Sequence, residues 1–361
     1  MSKNQSKSKI ILVTSLIAIF CNVLWGSAFP ALKIVYKEMG IVSHDLGGTI
    51  TFISLRFLLA GIFIFIAGLL TSTPLFKISK IQILLIIILG LFNTTLQYFF
   101  FNIGVNNTSG IKASILGQVG IFFSIILAHF IYKDDKLSLR KILGLSLGFI
   151  GIILINLNKE TNNFLQFKLL GEGFMIISGL VSACTMFIAK RIGKELPSIV
   201  YTSWQMIIGS IALFFIGHLM GGRIDNLTFT PLSISLLLYL ALLSSVAFCL
   251  WYYILQLRKV GELAMYNLPF LFQVLYLPHY LFKLNILHLF ISLHFYLYLW
   301  VLLSLININT YIFQFNKLYI QPYPIYTFVG YIIYFILNIC HFFIFFSYFY
   351  HFYKLPSIYI L

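Results

Sequence analysis

Residues 81–111 read IQILLIIILGLFNTTLQYFFFNIGVNNTSGI, thirty-one consecutive positions without Asp, Glu, Lys or Arg. A helix that crosses the hydrocarbon core of a bilayer needs about 20 mostly apolar residues, so this run is long enough to span a membrane. Six further stretches also lack charged residues: 10–32, 57–76, 113–132, 199–222, 226–257 and 263–282. Because backbone groups in lipid must be hydrogen-bonded within the protein, such runs predict a bundle of transmembrane helices.

The composition excludes a soluble globular protein and argues against nucleic acid as a partner. Hydrophobic residues make up 60% of the chain and charged residues 9%, whereas a soluble domain carries roughly 25% charged residues. The net charge is +15, but the Lys and Arg residues cluster in short loops between apolar stretches. That pattern is typical of membrane orientation signals rather than of a phosphate-binding groove. The expected partner of the surface is therefore the lipid bilayer.

The apolar stretches predict an all-α integral membrane fold of about ten transmembrane helices. Nine spans are placed at 10–34, 49–72, 81–104, 110–132, 140–157, 171–190, 198–220, 232–257 and 262–282, with at least one more in the tail. The first span is long and others follow it, so we expect it to be retained rather than cleaved as a signal peptide.

The distribution of Lys and Arg among the loops favours a cytoplasmic N-terminus. We expect the protein to be a multi-pass protein of the cell membrane. With the N-terminus inside, fourteen fall in cytoplasmic loops: Lys3, Lys7, Lys9, Lys77, Lys80, Lys133, Lys136, Arg140, Lys141, Lys190, Arg191, Lys194, Arg258 and Lys259. Six fall outside: Lys33, Lys37, Lys112, Lys159, Lys168 and Arg223. An excess of positive charge in cytoplasmic loops is the usual rule for helical membrane proteins.

The chain contains an internal repeat. Three pairs of stretches align: Gly110–Ala113 with Gly261–Ala264, Tyr98–Phe101 with Cys249–Tyr252 at the same offset of 151 residues, and Arg56–Gly61 with Gln205–Ser210. Each half then holds five spans, and an odd number of spans gives the two halves opposite orientations in the bilayer. Inverted repeats are common in secondary transporters, whose substrate site lies between the halves. A duplicated bundle with a purely structural role is the alternative.

Several stretches resemble one family of transporters. They are Leu24–Pro30 (LWGSAFP), Leu55–Gly61 (LRFLLAG), Ser109–Leu116 (SGIKASIL), Leu143–Gly151 (LGLSLGFIG), Tyr239–Ser245 (YLALLSS) and Leu250–Tyr253 (LWYY). In this order and spacing, over about residues 10–270, the chain resembles the EamA-type ten-helix members of the drug/metabolite transporter superfamily. The resemblance implies two inverted five-helix repeats, at 1–157 and 171–282. It also implies a secondary transporter, an exporter of small organic metabolites, amino acids or drugs, that works by alternating access.

The chain departs from the family pattern at three places. Gln118 stands where the fourth span of the family has a proline. The family has one acidic residue in the loop before the fifth span. In this chain two acidic residues, Asp134 and Asp135, stand near that place but at a shifted position. The proline of the second half is present as Pro269, but the acidic loop and the glycine-rich tenth span that should follow it are not found.

The tail has a different composition from the rest of the chain. After Glu262 there is no Asp, Glu or Arg, and the one glycine is Gly330. Residues 271–361, and most clearly the aromatic-rich tail 283–361, read like AT-rich DNA translated in a wrong frame, which predicts a frameshift at about codon 270. A genuine divergent tail is the alternative, since 284–316 and 318–353 are long enough to span. The nucleotide sequence decides: the frameshift idea is wrong if no other frame past codon 270 encodes a glycine-rich span.

Arg56 is the first candidate for substrate binding. A charged residue within a span is rare, costly and usually functional, and a guanidinium that faces a cavity can bind a carboxylate through two hydrogen bonds. An arginine that extends to the lipid headgroups is the alternative. Lys33, which follows Pro30 at the outer end of the first span, either attracts an anionic or zwitterionic substrate or anchors the helix at the headgroups.

Other candidates are polar or aromatic residues within the spans: Asn22, Trp25, Gln97, Gln205, Trp251 and Tyr252. The aromatic ones line a cavity or simply pack in the core, and the amides line a hydrated pocket or join helices by hydrogen bonds. Glu262 opens the ninth span, where a carboxylate is favourable as a helix cap; a proton-coupling role is a second interpretation.

Enzyme motifs are not found. The sequence shows no nucleotide-binding glycine loop, no metal-ligand spacing and no nucleophile with a nearby base, so we expect neither catalysis, nor a cofactor, nor a metal. The four cysteines lie within apolar stretches and are interpreted as small apolar side chains. A non-transport membrane scaffold or sensor, a membrane enzyme and an inactive frameshifted transporter are the alternatives to a carrier of small-molecule substrates. A homodimer is possible.

Overall fold

The described part of the chain is helical. The computed structural model describes residues 3–42, 45–108, 112–113, 116–139, 141–143, 146 and 167–267, with side chains from Ile10 onwards except those of Phe29 and Pro30. No β-strand occurs in these ranges. Most of the predicted span 140–157, the greater part of 262–282 and the whole tail 283–361 lie outside the described residues.

Eight helices follow one another in the described ranges. They are α1 Lys3–Glu38, α2 Leu46–Leu70, α3 Lys80–Asn106, α4 Val119–Ile131, α5 Leu169–Ile192, α6 Ser198–Leu219, α7 Pro231–Leu257 and α8 Val260–Ala264. Helix α3 contains a π-helical segment, Gly90–Leu96, and α5 begins with another, Leu169–Gly173. Helices α1, α2, α3, α5, α6 and α7 are long and apolar enough to cross a bilayer. The predicted all-α membrane class is confirmed.

Local sequence explains two of the helix starts. Ser79 and Gln82 form a capping box at the start of α3, in which the Ser79 amide donates to Gln82 Oε1 at 2.9 Å. Thr230 and Ser233 form the same motif at the start of α7, where Pro231 occupies the first helical position. Such reciprocal bonds satisfy backbone amides that a helix start otherwise leaves unpaired.

The predicted span 110–132 is interrupted. A turn at Gly117–Gln118 separates α4 from the helical residues 112–113 and 116, and Gln118 is the residue that stands in place of the family's proline. A glycine lowers the stability of a helix interior by about 1 kcal/mol relative to alanine. The chain therefore keeps a break at this point without the proline.

Helix packing repeats between the two halves. Helix α1 packs along α7, and α3 packs along α5; in each case the first helix of one half contacts the third helix of the other. The centre of α3 also packs closely on α6. A Cβ atom added to Gly90 would lie 2.6 Å from the Gln205 carbonyl oxygen, so only glycine allows this backbone approach.

The halves begin at opposite ends of the bundle. We call end A the end at which α1 begins, and end B the other. At end A, Arg258, which follows α7, donates to Thr14 Oγ1 of α1 at 3.1 Å. At end B, Glu172 in the first turn of α5 pairs with Lys112 at 2.8 Å. Helices α1 and α5, the first helices of the two halves, therefore start at opposite ends, as an inverted repeat requires.

The surface of the bundle is apolar along the long helices. Exposed side chains include Leu12, Leu84, Phe130 and Phe215, and such a surface fits lipid rather than water. At the end of α2 and in the turn after it, the hydroxyls of Thr71 and Thr73 are hydrogen-bonded at 2.9 Å.

Candidate binding site

Arg56 lies in the middle of the protein interior and is held in place by α7. Its side chain projects from α2 and the residue is 5% exposed. The Nε atom donates to Ser244 Oγ at 2.9 Å and to the Leu240 carbonyl oxygen at 3.3 Å. The guanidinium carbon lies 5.3 Å from the centre of the Phe57 ring. The interfacial alternative, in which the arginine reaches the headgroups, does not fit a buried side chain bonded to a neighbouring helix.

The charge of Arg56 is not balanced by an acid among the described residues. The ion pairs of those residues involve other cations, and neither Nη atom of Arg56 is hydrogen-bonded within the described ranges. The phenols of Tyr98, Tyr36 and Tyr239 interact with it electrostatically. A buried charge without a counter-ion costs several kcal/mol. The arrangement is therefore suited to receive an anion from outside the protein.

Aromatic rings extend from Arg56 towards α1 and α7. Phe57 lies 6.1 Å from Phe248, Phe248 lies 5.4 Å from Trp25, and Trp25 lies 5.2 Å from Trp251, between ring centres. Phe248 is also 6.2 Å from Tyr252. These contacts link the predicted Trp25, Trp251 and Tyr252 to the neighbourhood of Arg56.

Phe57 and Phe248 connect the site, and the sequence analysis did not single them out. Phe57 adjoins Arg56 in sequence, while Phe248 precedes Trp251 by three residues and Tyr252 by four. Residues three and four apart share a face of a helix, so this spacing is the signal that could have identified Phe248.

Four predicted residues contain buried polar atoms without a partner among the described residues. They are Asn22 Oδ1, Trp25 Nε1, Gln97 Oε1 and Gln205 Nε2. Asn22 is otherwise anchored, since its Nδ2 donates to the carbonyl oxygens of Ala18 and Tyr266 at 2.8 and 3.0 Å. Buried polar atoms are normally paired with protein or ordered water. Unpaired atoms at these positions are consistent with a site that takes up water or a ligand.

Gln205 is the structural counterpart of Arg56. Arg56 of α2 donates to Ser244 of α7, and in the other half Gln205 of α6 accepts a 2.9 Å bond from Thr94 of α3. Gln205 lies 149 residues after Arg56, and Ser244 lies 150 residues after Thr94. Both hydrogen bonds thus join the second helix of one half to the third helix of the other.

The next turn of the helices repeats this relation. Ser245 Oγ donates to the Ala60 carbonyl oxygen at 3.3 Å, and Thr95 Oγ1 donates to the Gly209 carbonyl oxygen at 2.8 Å. Two hydroxyl bonds therefore connect each crossing pair of helices. Only the first half places a cation at the crossing, so the two crossings share a framework but differ in charge.

Lys33 lies apart from Arg56, at end B. It is exposed and lines a cavity of about 760 Å³ between α1, α2 and α3. Tyr36 lines the same cavity and is one of the electrostatic neighbours of Arg56. Tyr36 is therefore common to the cavity lining and to the groups that interact with Arg56.

Comparison with known proteins identifies the family. The model of the EamA-like transporter family matches twice, at residues 12–157 and 169–289. The chain belongs to the EamA-like transporter family. Residues 290–361 lie outside the two matches, and the predicted division at 1–157, 171–282 and 283–361 stays a prediction.

Relatives of this EamA protein are described as transporters. An "Uncharacterized transporter" of Archaeoglobus fulgidus is 28% identical over 255 residues, which cover 70% of this chain and 83% of the relative. An "Uncharacterized transporter" of Haemophilus influenzae is 26% identical over 207 residues, 55% of this chain and 65% of the relative. A solved crystal structure shares the fold, with a TM-score of 0.58 at 15% identity over 73% of this chain and 85% of the other. The chain is thus a multi-pass membrane transporter.

A buried carboxylate from the loop after α4 joins neighbouring segments of the EamA protein at end A. Asp135, whose side chain is 1% exposed, accepts a hydrogen bond from the Gly261 amide at the start of α8 at 2.8 Å. Lys141 pairs with the same carboxylate at 2.5 Å. Lys190 at the end of α5 donates to the Leu255 carbonyl oxygen of α7 at 2.8 Å. These bonds tie the ends of four segments together.

Glu262 lies in the same region of the EamA protein rather than beside Arg56. Its carboxylate is 3.4 Å from Arg258, and its side chain is 42% exposed. Ion pairs with an exposed partner are worth about 0–1 kcal/mol. A coupling role for Glu262 stays a prediction.

Proposed function

We propose that this protein is a secondary transporter that moves small organic solutes bearing a carboxylate across the cell membrane by alternating access. Arg56 binds the carboxylate in this proposal. The observation that carries it is the buried guanidinium, fixed through Nε by α7, whose two Nη atoms have no protein partner among the described residues. The two Nη atoms can each donate to one oxygen of a carboxylate.

The aromatic residues provide the apolar part of the site. Trp25 and Phe248 lie between Arg56 and Trp251, so a solute with its carboxylate on Arg56 would place its organic part against these rings. Aromatic side chains bind apolar groups over a large area with little loss of conformational entropy. Amino acids, organic acids and acidic drugs have this combination of a carboxylate and an organic group.

A matched pair of solutes tests the proposal. In proteoliposomes that contain the full-length protein, we expect uptake of labelled amino acids or organic acids by counterflow, and we expect the corresponding carboxamides to be transported at least about 30-fold more slowly. The reason is that an uncharged amide leaves the buried guanidinium without a counter-ion, which costs at least about 2 kcal/mol. Equal rates of transport for acids and amides would show that Arg56 does not bind the carboxylate.

The orientation proposed for the bundle places end A in the cytoplasm. Loop cations are concentrated at end A, where Lys190, Arg258 and Lys259 lie, and positively charged loops remain on the cytoplasmic side. The cavity at end B then opens to the exterior. Export is the proposed direction, as the family resemblance implies.

Thiol labelling of intact cells tests this orientation. A membrane-impermeant maleimide should modify Arg223→Cys, in the loop before α7, and should not modify Lys77→Cys, in the loop before α3, until the membrane is permeabilised. The parent protein provides the background. Labelling of Lys77→Cys in intact cells would reverse the proposed orientation.

A frameshifted, inactive transporter is a second candidate. The observation that favours it is the loss of every acidic residue after Glu262, together with the near absence of glycine, which close helix packing in membranes requires. In that case the second half would be incomplete, and counterflow would be absent for every solute.

A further inference from the structure

The cavity at end B is here called the vestibule, and the charged residues of its described lining are lysines. Lys33 and Lys37 lie four residues apart on α1, and both are exposed. Across the vestibule, α3 contributes Asn102 and Asn106, also four residues apart, and α2 contributes Thr49. Residues at this spacing share a helix face. Within the described part of the chain, the vestibule is therefore bordered by two ammonium groups and several neutral hydrogen-bonding groups, with no acidic residue among them.

A cavity of this kind concentrates anions. Two like charges at the wall of a cleft with low-dielectric sides raise the local concentration of ions of opposite sign, because the field is focused into the opening. The amide of Asn102 is oriented, since its Nδ2 donates to the Tyr98 carbonyl oxygen at 2.7 Å. The lysines thus supply attraction, while the fixed polar groups limit which shapes can enter.

The vestibule leads towards Arg56. Tyr36 lines the vestibule, packs edge-on against Phe52 of α2 at 5.4 Å between ring centres, and is an electrostatic neighbour of Arg56. Phe52 and Arg56 lie four residues apart on α2 and so occupy one side of that helix. The positive charges of Lys37, Lys33 and Arg56 therefore lie along one route from end B to the interior.

We propose that the vestibule is a separate, low-affinity binding site for carboxylate or phosphate groups, in which Lys33 and Lys37 hold an anion on its route to or from Arg56. That this anion is the transported solute rests on the proposed function, whereas the positive potential of the vestibule does not.

The reactivity of an introduced cysteine measures the electrostatic potential in the vestibule, and the substrate need not be known. Val105 lines the vestibule and is 39% exposed, so Val105→Cys presents a thiol there. Its reaction rates are measured with an anionic reagent, methanethiosulfonate ethylsulfonate, and with a cationic one, methanethiosulfonate ethyltrimethylammonium. The ratio of the two rates reports the local potential, because the fraction of thiolate cancels. The parent protein, in which Cys21 and Cys249 are buried and Cys184 is half-buried, gives the background.

Asn226→Cys is the matched control at the same end. Its loop lies beside the end of α1, since the Thr228 amide donates to the Met39 carbonyl oxygen at 3.1 Å, and it carries the opposite charges Arg223 and Asp225. At low salt we expect the anion-to-cation ratio at Val105→Cys to exceed the control by about fivefold to tenfold. The excess should vanish in the Lys33→Gln/Lys37→Gln double variant. Equal ratios at the two cysteines would overturn the proposal.

Protection experiments distinguish a soluble anion from a lipid headgroup. In phosphatidylcholine nanodiscs, succinate should slow the reaction of Val105→Cys with the uncharged reagent N-ethylmaleimide, succinamide should not, and the lysine double variant should lose the protection. If phosphatidylglycerol blocks the thiol and succinate does not, the lysines serve lipid headgroups and the proposal is wrong. If succinate gives no protection but carboxamides are still transported more slowly than the acids, the vestibule proposal is wrong and the proposed function is retained.

Discussion

Replacement of Arg56 by alanine is expected to reduce transport by about 30-fold or more without loss of stability. Truncating one partner of a buried charge pair costs at least about 2 kcal/mol, which corresponds to that factor. Stability should be retained because Arg56 is a buried charge without a counter-ion among the described residues, and its removal also removes its desolvation cost. Ser244 keeps its own bond to the Leu240 carbonyl oxygen at 2.8 Å, so the helix crossing loses no essential contact. Counterflow and the melting temperature in detergent are the two measurements.

Two controls separate this role from a structural one. Arg223→Ala removes a loop cation of the same type and should leave counterflow unchanged. Arg56→Lys keeps the charge but lacks the two-pronged geometry of the guanidinium, so we expect an intermediate rate with a raised KM. A large fall in melting temperature for Arg56→Ala, with transport per folded molecule unchanged, would assign Arg56 to structure and contradict the binding role.

The spans could be predicted from sequence because the bilayer imposes a simple rule. A run without charges over about 20 residues is visible in the sequence itself, and the predicted spans 198–220 and 232–257 agree with α6 and α7 to within a residue at each end. The start of α4 was harder to predict from the sequence. The turn at Gly117–Gln118 depends on how glycine and its neighbours pack, and it causes no change in hydropathy.

The contacts between helices could be predicted only in part. The repeat aligned Arg56 with Gln205, and the structure gives both residues equivalent hydrogen bonds to the opposite half. The repeat contains no information on the rotation of each helix about its axis. The link from Phe57 to Trp25 through Phe248, and the position of Glu262 away from Arg56, follow from those rotations. The spacing of three and four residues places Phe248 on the same face of α7 as Trp251 and Tyr252, but neither hydropathy nor spacing predicts its contacts with other helices.

The partner of Asp135 was also beyond sequence reasoning. Asp134 and Asp135 were interpreted as standing for one acidic residue of the family pattern. The sequence does not show which of the two is buried. The structure does: Asp135 is buried against Gly261, whereas the Asp134 side chain is 74% exposed and lies 3.7 Å from Lys259. The difference predicts very different consequences for the two substitutions.

Asp135→Ala is expected to increase strongly the frequency of local opening at end A. The substitution removes the acceptor of the Gly261 amide and leaves the Lys141 ammonium, 13% exposed in its side chain, without its counter-ion. Breaking a buried pair in this way costs about 3–5 kcal/mol. Local opening at the start of α8 should therefore become about 150-fold to 5,000-fold more frequent. Hydrogen exchange of the peptide that covers residues 258–267 measures that opening directly.

Asp134→Ala is the matched control for this experiment. It removes a neighbouring carboxylate whose ion pair with Lys259 is exposed, and such pairs contribute about 0–1 kcal/mol, so exchange should change by less than about fivefold. If alternating access requires end A to open, Asp135→Ala should also shift the protein away from the conformation with the vestibule open, and Val105→Cys should then react more slowly with N-ethylmaleimide. Faster exchange at residues 258–267 with unchanged reactivity at Val105→Cys would show that Asp135 caps α8 without coupling the two ends of the bundle.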